Sequence, residues 1–82
     1  MYEPISQPID VLAVFRGKRV EPMTFKWGTR HVQVKKVNLI HSERQGRERT
    51  VFFSVTDHSG NAYRLSYSSE TMGWRLEDLA TA

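Results

Sequence analysis

There is no cysteine in this chain. No disulfide can brace the fold, and no thiolate can bind a metal or act as a nucleophile. The composition fits a reducing compartment. Long apolar runs are also missing, so no stretch approaches the length of a membrane-spanning helix. The first ten residues, "MYEPISQPID", lack the basic region and apolar run of a signal peptide. The expectation is a cytoplasmic protein with no membrane partner. No P-loop, no dinucleotide fingerprint and no glycosidase-like carboxylate pair is present. His31, His41 and His58 are the only histidines, and none stands at a metal-ligand spacing from another. "DHS" at 57–59 has the residue types of a hydrolase triad. Such triads assemble from distant positions, and neighbours in a turn point apart, so it reads as an Asx-type hairpin turn. The sequence therefore predicts no enzyme, no catalytic residue, no metal and no small-molecule cofactor.

What is present is strand. The 82 residues suffice for one domain with a thin stability margin. Period-two alternation and closely spaced turn signals predict an all-β fold, a six-stranded antiparallel meander. Such a sheet disposes of its exposed edges by curling into a barrel or roll. Residues 1–8 read as an irregular lead-in set by Pro4 and Pro8. Strands follow at "IDVLAVFR", "RVEPMTFKW" and "RHVQVKKVNLIH", with turns at Gly17 and at Gly28-Thr29. Pro22 has no N–H and belongs at an edge or bulge. A two-residue loop at Gly28-Thr29 sets Phe25 opposite Val32 and Met23 opposite Val34, and glycine in first place suits a type II′ turn. From Val34 to Val37 the alternation slips by one, which predicts a β-bulge at Lys35-Lys36. "SERQGRER" reads as a charged loop around Gly46.

The last three strands lock together most firmly. A three-residue loop, His58-Ser59-Gly60, pairs Val55 with Tyr63, Phe53 with Leu65 and Val51 with Tyr67, all on one face. Gly60 takes the left-handed position of the turn. Trp74 opposite Tyr67 and Leu76 opposite Leu65 extend that face, and Glu77 to Ala80 read as either strand or a closing helical turn.

The same register places Phe52 on the other, polar face, opposite Ser66 and diagonal to Arg64. Three readings stay open: the N-terminal segment, with Tyr2 or Ile5, folds over it; a second copy covers it in a homodimer; or it is a platform for stacking bases beside Arg64, as in single-strand binders. The net charge is +3, from 12 Lys and Arg against 9 Asp and Glu. In a meander the turn at Gly17 and the loop at Gly46 share one end, which gathers Arg16, Lys18, Arg19, Arg44, Arg47 and Arg49. Glu43 and Glu48 dilute that patch. Together with Phe52 and Arg64 the six cations form the candidate binding surface. It is either a solubilising rim or a phosphate-contact site whose binding weakens with salt.

Two stretches, "FKWGTRHVQVKKV" and "GNAYRLSYSSETMGWRLE", resemble a small bacterial family of all-β domains of unknown function. The likeness rests on Trp27, Arg30, Val32, Val34, Gly60, Tyr63, Leu65, Tyr67, Trp74 and Leu76 and spans about residues 22–77. Most of these are core or turn positions. The chain departs from the family after the third strand, where members often carry another Trp. Some members accompany error-prone DNA-repair polymerases, so the resemblance implies a nucleic-acid context. The expected function is a small binding or assembly module, an accessory protein for nucleic acid or a nucleic-acid enzyme. The alternative is a homodimeric protein-interaction domain with no nucleic-acid role.

Overall fold

Six antiparallel strands close into a barrel in chain order, β1 to β6, with β1 pairing β6 to complete the ring. The structure, a computed structural model, describes residues 3–81. The strands are β1 (Glu3–Arg16), β2 (Arg19–Trp27), β3 (Arg30–Gln45), β4 (Glu48–Asp57), β5 (Ala62–Ser68) and β6 (Trp74–Ala80). Among the described residues no helix is long and apolar enough to cross a membrane.

Alternation puts one apolar row per strand inside. Ile9, Phe25, Val32, Phe53, Val55, Tyr63, Leu65, Trp74 and Leu76 are buried, so every strand contributes to a filled interior. Aromatic rings set its specificity: Phe25 meets Tyr63 edge-on at 5.1 Å between centroids, and Trp74 lies between Phe53 and Tyr67 at 5.4 and 4.9 Å. The β4–β5 register is the one the alternation predicts: Val55 faces Tyr63, Phe53 faces Leu65 and Val51 faces Tyr67. Tyr67 faces Trp74, and Leu65 faces Leu76.

Turns follow glycine. Gly17, Gly28 and Gly46 each open a two-residue hairpin loop with φ between 56 and 62°. Thr29 is not at positive φ, as the second residue of a type II′ turn requires. Gly60 sits at φ 87° in the three-residue loop.

Four expectations need correction. From Glu3 onward the lead-in is strand, because β6 needs a partner on its outer edge; Glu3 to Ile9 supply it, and Asp10 to Arg16 then pair β2. The prolines leave their mark as a register shift between Pro4 and Gln7, where Ser6 takes φ 53° and accepts the Arg75 guanidinium on its carbonyl at 2.6 Å and its hydroxyl at 3.0 Å. The "SERQGRER" loop is instead paired ribbon: Ser42 faces Val51, Glu43 faces Thr50, Arg44 faces Arg49 and Gln45 faces Glu48. Backbone pairing needs no apolar side chains, so polarity alone misreads it. Residues 77–80 stay in strand, held by β5. Met23 does not pair Val34. It is the extra residue of a bulge against β1, between the pairs Leu12–Thr24 and Ala13–Pro22. The predicted β3 bulge lies between Val34 and Lys36, and a second follows between Val37 and Leu39.

Candidate binding surface

Three hairpin connections converge on one end of the barrel. In a closed up-and-down barrel the β1–β2 turn, the β3–β4 turn and the β5–β6 connection share an end. Two contacts tie them together: Phe15 lies edge-on to Tyr67 at 6.3 Å, and the Ser69 amide donates to the Arg49 carbonyl at 2.9 Å. Arg16, Lys18, Arg19, Arg44, Arg47 and Arg49 are all exposed there. The register sets Arg16 directly opposite Arg19, and Arg44 directly opposite Arg49. Like charges facing across a ladder cost stability, and here they occur beside both turns. Glu48, between Arg47 and Arg49 in the chain, accepts the Ser68 hydroxyl at 2.8 Å. Among the described residues, the ion pairs are His41–Glu43 and Arg64–Asp78, so no carboxylate pairs with these six cations.

Phe52 stands on the outer face, opposite Ser66, half-buried. Its ring stacks on His41 at 6.1 Å and 27°. The two line a groove of about 320 Å³ with Leu39, Glu43, Ser54 and Arg64. Ile5 packs against the barrel interior and does not lie over Phe52; Tyr2 falls outside the described residues. Arg64 shares this groove, but its guanidinium is paired with Asp78, and Glu43 adds a second carboxylate. The groove is thus largely apolar, with its arginine already paired, whereas the hairpin tips are cationic.

A third feature was not read from the sequence. β2 and β3 pair only from Trp27–Arg30 to Thr24–Gln33, although β2 begins at Arg19 and β3 runs to Gln45. Past Gln33 the strands part, leaving a cleft of about 590 Å³ between Arg19–Met23 and Val34–Ile40. Two residue signals flank it, each read from the sequence only as a local irregularity: Pro22, which cannot complete a ladder, and the slip at Lys35-Lys36.

At the opposite end, Asp57 anchors the β4–β5 loop. Its carboxylate accepts the Ser59 and Asn61 amides, both at 2.9 Å, the Asn61 side chain at 3.1 Å and the Tyr63 hydroxyl at 2.7 Å. Burial opposes its ionisation, yet the hydrogen bonds from Tyr63, Asn61 and Ser59 together hold its carboxyl below the ordinary 3.8. Burial, reinforced by the bond to Asp57, pushes the Tyr63 phenol up to about 12. "DHS" is therefore an Asx turn in which the aspartate serves the loop.

Comparison with known proteins returns no matching family model, no similar curated protein and no similar solved structure.

Proposed function

We propose that this domain is a small binding module of an accessory protein, and that the hairpin tips contact the phosphate backbone of single-stranded nucleic acid. One observation carries the reading. Two arginine pairs, Arg16–Arg19 and Arg44–Arg49, face each other beside adjacent turns, and among the described residues no carboxylate is paired to them. A bound polyanion would relieve the repulsion that the free domain bears. The resemblance to domains that accompany DNA-repair polymerases supports the same context. Binding of a labelled mixed-sequence single-stranded oligonucleotide, followed by fluorescence anisotropy, tests it. The affinity should fall steeply with salt, with a log–log slope approaching about −4 if all six cations neutralise phosphates, at ~0.7 per contact. Absence of binding at low salt would overturn it.

A second reading, a homodimer formed through the outer face, draws on Leu39, which is 62% exposed beside Phe52. Phe52→Glu would then yield a folded monomer in sedimentation velocity. An unchanged oligomeric state with the fold intact removes that reading.

A further inference from the structure

We propose that the cleft between β2 and β3 receives an extended segment of a partner protein, acidic and apolar by turns, which adds a strand along the free edge of β3. The inference does not rest on nucleic acid or on the hairpin tips, with which the cleft shares only Arg19.

The backbone argues first. From Val34 to Gln45 β3 has β4 on one side, but on the other side its ladder with β2 stops at Gln33. From Val34 onward its second row of amides and carbonyls has no strand partner, and β2 turns a like edge toward the cleft from Arg19 to Met23. Such an edge is a template for another strand. With its two bulges, Val34 to Ile40 lies along β4 from Asp57 to Phe53, about 16 Å of ladder at ~3.3 Å per β4 residue, long enough for a short peptide.

The side chains then select the occupant. Met23, Leu39 and Ile40 are 47, 62 and 46% exposed, and all three line this one cleft. Ile40 is the informative one. It faces Phe53, a core residue, across the ladder, so it points to the barrel interior, yet it stays half-exposed because β2 has drawn away. An incoming apolar side chain would complete the wall there. Around these residues stand Arg19, Lys35 and Lys36 against Glu21 alone, which favours a partner strand bearing carboxylates. A second copy of the chain is the wrong occupant. Twofold pairing of two β3 edges is isologous, and would set Lys35 and Lys36 of one copy near those of the other.

Panning a displayed library of random nonapeptides against the whole chain tests the idea. The recovered peptides should alternate apolar residues with Asp or Glu. Their binding should shift the amide resonances of Val20, Glu21, Met23 and residues 34–40, and should be lost when a central residue of the peptide becomes proline, which removes a ladder donor. Lys36 is exposed, so Lys36→Glu should fold normally and reject the acidic peptides. Recovery of no peptide, shifts confined to other residues, or indifference to both the proline and Lys36→Glu would each overturn the proposal. So would a single-stranded oligonucleotide that moves the same cleft amides and displaces the peptide, since the cleft would then be a polyanion site. Loss of oligonucleotide binding at the tips alone leaves this result untouched, so the two readings fail separately.

Discussion

A single carboxylate shows how much a side chain can do in a domain this small. Asp57 takes four hydrogen bonds from Ser59, Asn61 and Tyr63, so it closes the loop and holds a core tyrosine by its hydroxyl. Its carboxyl is held below 3.8, so the folded state favours the ionised form. The stability this supplies is complete above the unfolded value and is lost as pH falls through the lower folded one. Tyr63 runs the other way. Its pKa rises from 10.0 to about 12, so its contribution is complete below 10 and drains away as pH climbs toward 12. Denaturant melts across both windows should show two declining limbs. Tyr63→Phe should flatten the alkaline limb, and Asp57→Asn should flatten the acid one while lowering stability at neutral pH by about 1–3 kcal/mol, the cost of disrupting part-buried hydrogen bonds to a charged group. An alkaline limb unchanged in Tyr63→Phe would assign it to other groups. Phe53 carries a plainer load: it is 1% exposed and packs on Trp74. Phe53→Ala should cost about 3–5 kcal/mol, most or all of the margin of a small domain, and should appear as an unfolded chain in circular dichroism at room temperature.

Among the elements, legibility tracked side-chain alternation. The β4–β5–β6 register could be read because both faces are marked, Val55, Phe53 and Val51 on one and Ser54 and Thr56 on the other, and because Gly60 fixes the loop. The candidate cations were legible as residues near turns, and the meander argument put them at one end. The arginine-on-arginine pairing was not legible, because it needs the Gly46-Arg47 turn to be two residues long, and "SERQGRER" holds no apolar residue to reveal a strand. The β1–β6 closure was hidden for a related reason: Pro4 and Pro8 discourage a strand reading, and only the unpaired edge of β6 demands one. The paired ribbon leads to a test in which function and stability move oppositely. Arg44→Glu converts a like-charged pair with Arg49 into an attractive one. It should raise stability by up to about 1 kcal/mol, which is roughly 4–8 °C in Tm for a domain of this size. The same change should weaken oligonucleotide binding. A variant that melts higher and binds equally well would make the tip a solubilising rim.

At the scale of the molecule, the barrel has one weak seam and one closure, and each depends on the other. β2 and β3 hold together by four facing pairs, Trp27–Arg30 to Thr24–Gln33. β1 bridges the rest of the ring by pairing β6 with its first half and β2 with its second. A barrel tolerates one partial opening because the remaining ladders still fix every strand. A second opening would leave β6 as an outer edge and uncover Leu76 and Trp74. The first half of β1 also holds Trp27, whose indole donates to Gln7 at 2.9 Å, so it supports the edge of the seam from the neighbouring strand. Removing residues 1–8 should therefore abolish the folded monomer, although six of those eight residues are exposed or half-exposed, and the other two lie outside the described residues. Size-exclusion chromatography with a thermal melt reads the outcome. A truncated chain that stays monomeric and melts within a few degrees of the full one would show that strand closure is dispensable, and that the filled interior alone keeps the barrel shut.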